Sequence, residues 1–291
     1  MAGTYRIKER GVQILNLLKV HGPLSFRGIK QMLEPEIKDR RLHSALARFV
    51  KNKLISKRFE KLFRGYGIFY QLSQSEVSRT KLAQVLQCEP KELAQPDFRS
   101  RDLLHAESCA VWLHQIKKVL PDSVAIRDYQ FQGSHFASEI LLADRNEFEL
   151  LPDLLIRFES SAGQSPVTVA VEIEKTIKAK RRLQDKLKKY ADGTALDGVM
   201  YVCERPDIQS AVASAYKSSV SSKSRRIGHY GDFFLLFSDE NNQPSKGDIK
   251  MSTTAGVSVS LLNWIAEMRN AALPHRRTKN FELRAVSCSQ K

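Results

Sequence analysis

The most constraining feature of this chain is the run Val167-Thr-Val-Ala-Val-Glu-Ile173, continued by Glu174-Lys175. β-branched residues at alternate positions favour a buried strand, yet Glu172 and Glu174 sit within it, two residues apart and so on one face. A second apolar run, 154–158, follows Pro152-Asp153, and the two are joined by a Ser-containing link, 159–166. If they pair antiparallel, Asp153 at the start of one lies beside the end of the other, and three carboxylates converge at one sheet edge. Like charges at that range repel strongly unless a cation stands between them, and hard oxygen ligands select Mg²⁺ or Mn²⁺. Such an ion would orient a phosphodiester and lower the pKa of a bound water.

The flanking pattern extends this to a mixed sheet. An amphipathic helix over 102–120 ends before Pro121, and strands follow at 124–131 and 139–142, ahead of the two central ones. Next come a strongly basic helix over 176–191, a strand at 198–203, a helix at 206–220, a strand at 233–237 and a helix at 257–273. The order predicts α/β, with one sheet face holding the first helix and the other the basic one. Lys178 stands four residues past Glu174, close enough to reach the carboxylates and bind a scissile phosphate. Lys186 lies two turns further on a similar face, with Tyr190 one turn beyond. Lys175 should point to the opposite face, and several of these lysines are simply solvated. His105 and Glu107 stand in the first turns of the 102–120 helix, as a polar pair or as accessory site residues.

Charge separates the front of the chain from the rest. The 291 residues carry 47 Lys+Arg and 32 Asp+Glu, a net +15, and residues 1–75 hold 16 of the former and 5 of the latter. A polyanion is the natural partner of that segment. Helical periodicity up to His21-Gly22-Pro23, a short helix capped by Ser25 and ending near Pro35, and a third helix from about Ile37 precede two β-prone runs, 54–59 and 67–72. Three short helices and a basic hairpin make the winged helix-turn-helix order. The third helix would lie in the major groove of double-stranded DNA with Arg40, Arg41, His43, Ser44, Arg48 and Lys51 outward, while Lys57, Arg58, Lys61 and Arg64 on the wing meet phosphates. The domain reading is therefore 1–75 for DNA binding, 76–100 as a connector, 101–273 for the α/β domain and 274–291 as a basic tail.

Several classes are excluded. At 42% hydrophobic and 27% charged, with 14 Gly and 10 Pro, the chain is neither disordered nor collagen-like. No run approaches the roughly 18 to 20 apolar residues of a membrane span, and the first residues lack a secretory signal's apolar stretch, so the expectation is a cytoplasmic protein. Four widely spaced cysteines read as ordinary thiols. The seven histidines contain no His-hydrophobe-His metal pair, no Arg…His-x-x-Arg…Tyr order is present, and no Walker loop implies ATP use.

Pro152-Asp153 followed by Glu172-Ile-Glu174-Lys175 resembles the signature of the PD-(D/E)XK nucleases. With the winged helix in front and His105 opening the first core helix, residues 1–240 are similar to the MobC-type, replication-relaxation family of plasmid relaxases. The resemblance implies a restriction-endonuclease-like core and a metal-dependent, strand-specific nick at a transfer origin for plasmid mobilization. It also implies auxiliary relaxosome proteins and a coupling protein as partners, with Asp153, Glu172 and Glu174 as metal ligands. In the common pattern a lysine stands two residues after the acid, where this chain has Glu174. Lys178 is the carried-over basic residue, with Lys175 and Lys186 as substitutes. The alternative function is a DNA-binding replication or transcription regulator whose nuclease-like domain is inactive.

Overall fold

The computed structural model describes residues 7–33, 37–62, 65–95, 100–120, 126–131, 152–159, 166–192, 196–219, 235–239, 249–253 and 258–271. The expected strand at 139–142, Arg64 and the tail from 274 lie outside them. Contacts divide the chain into two units, one built on Met1–Val119 and the other on Glu139–Lys291, with the intervening residues shared. The chain is α/β, and among the described residues no helix is long and apolar enough to cross a membrane.

In the first unit, α1 (Glu9–His21), β1 (Leu24–Ser25), α2 (Phe26–Met32) and α3 (Asp39–Lys51) precede a hairpin of β2 (Ile55–Leu62) and β3 (Gly65–Leu72). β3 is the middle strand of a three-stranded antiparallel sheet, and Leu24 pairs with Tyr70. Ser25 caps α2, its Oγ accepting from the Gly28 N–H at 3.1 Å. α3 is amphipathic at helical spacing, with Leu42, Leu46 and Phe49 buried. They join Ile14, Leu18, Ile29, Leu54 and Leu72 in one core.

Two stretches assigned elsewhere on sequence grounds belong to this unit. The 76–100 connector forms α4 (Glu76–Leu86) and a 3₁₀ turn at Pro90–Leu93. Leu82, Ala83 and Leu93 enter the same core, and the Lys19 ammonium pairs with Glu92 at 3.0 Å. The helix read as opening the α/β domain, α5 (Ser100–Val119), packs on α1, α2, β1 and β2. An apolar stripe says that a helix face is buried but not against which element. A specific tie here is Glu107, whose carboxylate accepts from the Ser25 N–H and, at 2.9 Å, from the Ser25 hydroxyl. Glu107→Ala strands a backbone donor at this junction and should destabilise the unit by about 1–3 kcal/mol. A lowered melting temperature checks this, and an unchanged one would show the tie to be dispensable.

The second unit is built on a seven-stranded sheet, comprising β4 (Ile126–Phe131), β5 (Leu154–Phe158), β6 (Val167–Glu174), β7 (Gly198–Cys203), β8 (Leu235–Asp239), β9 (Lys250–Thr253) and β10 (Ser258–Ser260), in the order β10-β9-β8-β7-β6-β5-β4. β5 and β6 pair antiparallel with Leu154 opposite Val171, as the sequence requires. β6, β7 and β8 run parallel, linked by α6 (Lys180–Asp192) and α7 (Pro206–Ser219). Every residue of β6 and β7 is buried, which explains their near-continuous apolar reading.

The two sheet faces differ. Leu155, Ala170, Val199, Tyr201 and Cys203 meet Leu183, Leu187 and Tyr190 of α6 and Ile208 and Val212 of α7. On the other face, α8 (Leu261–Ala271) occupies the place expected for the 102–120 helix. A Cβ on Gly198 would stand 2.5 Å from Trp264 Cζ2 and 2.9 Å from Met268 Sδ. Gly198→Ala should therefore destabilise this unit by roughly 1–3 kcal/mol through overpacking. The denaturant midpoint should fall with an unchanged slope, and an unaltered midpoint would mean the indole moves freely.

Candidate functional site

Strand period and register bring the three carboxylates to the α6 side of the sheet. Glu172 and Glu174 are two apart on β6, and Asp153 immediately precedes β5 at the position that continues the register opposite Glu172. The Asp153 side chain accepts from the Ile173 N–H at 2.8 Å, which closes the ladder where β5 begins. The site lies at the C-terminal end of interior strands, not at the sheet edge expected, because β4 continues the sheet beyond β5 and β7 to β10 extend it on the other side. All three are buried, Glu172 completely and Asp153 to 8% exposure.

Burying carboxylates requires partners, and α6 with its approach supplies them. The Lys178 ammonium donates to Glu174, while the Lys186 ammonium and the Tyr190 hydroxyl both donate to Glu172. Lys178 was expected in the first turn of the basic helix, but α6 begins only at Lys180. β-branched Thr176 and Ile177 are poor helix formers, and residues 175–179 carry the chain away from β6 in irregular conformation. Lys186 and Tyr190 lie one turn apart on α6, which is how one helix face delivers both donors to one carboxylate. Lys175 is half-buried next to Glu174. The remaining accessory residues of the sequence reading, His105 and Glu107, belong to the first unit, where Glu107 holds Ser25.

Tyr201 was missed. It sits beside Glu172 in the β6–β7 register, is fully buried, and its hydroxyl has no hydrogen-bond partner among the described residues. Its signal was the alternation of Val199, Tyr201 and Cys203 along a strand read only as apolar. Burial and the nearby carboxylates push the phenol far above its usual range, so it stays a neutral donor.

Burial dominates the electrostatics of the site, with neighbouring carboxylates adding to it. Burial, then the neighbouring Asp153, push the Glu172 carboxyl up to about 8 against the pull of Lys186 and Tyr190. Burial and Glu174 likewise raise the Cys203 thiol to about 12. A carboxyl raised above its unfolded value binds more protons in the folded state, so its contribution to stability falls as pH rises between about 4.5 and 8. Glu172→Gln should flatten this part of the stability–pH curve, measured by denaturant unfolding at several pH values. An unchanged slope would assign the dependence elsewhere.

Among the described residues no group of three or more His, Cys, Asp and Glu side chains stands close enough together to hold a metal ion as arranged. The donor set is nevertheless all oxygen, Glu174 is engaged by the part-exposed Lys178 ammonium, and the Tyr201 hydroxyl, which has no hydrogen-bond partner among the described residues, sits beside Glu172. By chemistry the set fits a hard divalent cation.

In the first unit, Arg40, Arg41, His43, Ser44, Arg48 and Lys51 are exposed on α3 opposite its buried side. Two are already engaged within the fold. The His43 ring stacks on Phe26 with centroids 4.0 Å apart, and the Ser44 hydroxyl donates to the Arg40 carbonyl at 2.8 Å. On β2, Lys57 and Lys61 are exposed, whereas Arg58 is half-buried and donates to Glu60. Arg58, expected to meet phosphates, is instead paired with Glu60 two residues along the same face of β2.

No family model, curated protein or solved structure matches this chain.

Proposed function

We propose that this chain is a metal-dependent DNA endonuclease of the relaxase type, nicking one strand at a site chosen by its basic first unit. In this reading the first unit is a winged helix-turn-helix and the second a PD-(D/E)XK-like domain. The observation that carries it is the gathering of Asp153, Glu172, Glu174, Lys178 and Lys186 on one sheet face behind β6. Asp153, Glu172 and Glu174 would hold Mg²⁺ or Mn²⁺, which supplies a Lewis acid for the phosphoryl oxygen and an activated water. Tyr190 keeps the Glu172 carboxyl aligned. Lys178, whose side chain is 26% exposed, is the more accessible ammonium and would turn to a phosphate oxygen once Glu174 has another partner. The DNA partner is a duplex transfer origin, with accessory proteins of mobilization assembling around it.

Calorimetric titration with Mn²⁺ tests the metal. The full chain should bind it and Asp153→Asn should not; equal binding by both would remove the carboxylates from that role. The reader is tested separately. Replacing Arg40, Arg41 and Arg48 together by Ala should weaken duplex binding and lower its log–log salt slope by roughly one unit per lost phosphate contact. Unchanged binding would move the interface away from α3.

A further inference from the structure

The β2–β3 hairpin carries an apolar feature that phosphate binding does not use. Phe59 is 68% exposed and Ile68 41% exposed, and the two are direct cross-strand partners in the antiparallel register. Opposed residues of a pair project from the same face, side by side. Along β2 the same face carries Lys57 and Lys61, two residues to either side, so two exposed lysines whose Cα atoms stand roughly 13 Å apart bracket the aromatic ring. Neither lysine makes an ion pair with a described residue, whereas the opposite face neutralises itself through Arg58 and Glu60. Toward the base of the hairpin this face turns inward through Ile55, Tyr70 and Leu72, all buried, so the exposed pair stands beyond a packed base.

A bulky apolar pair flanked by unneutralised lysines suits a surface that is anionic at its rims and apolar between them. Duplex DNA has that form at a base step opened from the minor groove. We infer that Phe59, backed by Ile68, is a wedge that enters the minor groove of duplex DNA and kinks it while Lys57 and Lys61 hold the flanking phosphates. The inference rests on the reading of the first unit as a DNA binder and adds to it a residue that deforms the DNA. A kink of this kind also selects flexible pyrimidine–purine steps without base-edge hydrogen bonds.

The test uses the full chain in EDTA and an end-labelled duplex of about 30 base pairs with a central TA step, measuring affinity by anisotropy and end-to-end distance by energy transfer. The natural protein should shorten the end-to-end distance on binding. Phe59→Ala should weaken binding on the order of tenfold and abolish the shortening while leaving the salt slope unchanged, because no phosphate contact is lost. Phe59→Leu should keep much of the bend. Lys57→Ala should do the reverse of Phe59→Ala, lowering the slope by about one unit with the bend retained. Phe59 is exposed, so folding of the variant is expected and is verified by circular dichroism. Equal binding and bending by Phe59→Ala and the natural protein would overturn the wedge alone. So would a Phe59→Ala effect confined to self-association in sedimentation. Failure of the natural protein to bind the duplex would overturn the DNA reading and the wedge with it.

Discussion

Asp153→Asn is expected to lower divalent-cation-dependent nicking on the order of a thousandfold while leaving duplex binding and folding close to those of the natural protein. Asn keeps an oxygen acceptor for the Ile173 N–H, which Asp153 satisfies at 2.8 Å, so the junction of β5 and β6 is preserved. What disappears is one negative charge beside Glu172. The Glu172 proton should then leave more readily, because the charge that opposes its ionisation has gone. A variant that folds and binds DNA but does not nick would place Asp153 in the chemistry. Full activity would make the aspartate a structural cap for β6 and nothing more.

The next largest effect should come from Lys178→Ala, a loss of nicking by about a hundredfold, the usual scale for removing one electrostatic stabiliser. Lys178 and Lys186 each engage a different carboxylate, but their surroundings differ. Lys186 is packed beside Tyr190 on α6 and serves a completely buried Glu172, so it acts mainly by holding that carboxyl in place. Lys178 lies on the irregular approach to α6, where its ammonium can exchange Glu174 for a phosphate. Lys175→Ala should be far milder. Single-turnover nicking by the three variants checks the ranking. Loss confined to Lys186→Ala would shift the basic role onto the helix.

Much of the acidic site was legible because strands impose a period of two. Glu172 and Glu174 had to share a face, and an antiparallel partner had to bring Asp153 opposite them. The lysines were legible by proximity, but not their assignment. Lys178 depended on where α6 starts, and the two β-branched residues before it delay that start. Tyr201 was hidden because a buried tyrosine in an apolar strand looks like core until its neighbours are known. The placement of α5 failed for a related reason: its apolar stripe fits any sheet or helix, and its partners, such as Ser25 tied to Glu107 from 82 residues away in sequence, are long-range. Exposed Phe59 escaped notice because a β-prone run gives no sign of which face is left uncovered.

The most direct test of the central claim is incubation of the purified chain with supercoiled DNA carrying the sequences that flank its own coding region. Parallel arms contain Mg²⁺, Mn²⁺ or EDTA, and the Asp153→Asn/Glu172→Gln/Glu174→Gln variant runs beside the natural protein. Open-circular product with either cation, none with EDTA and none from the variant is the predicted result. Equal nicking by the variant, or tight binding of this DNA without nicking under any cation, would contradict the account. The second outcome would favour a DNA-binding regulator with an inactive nuclease-like domain.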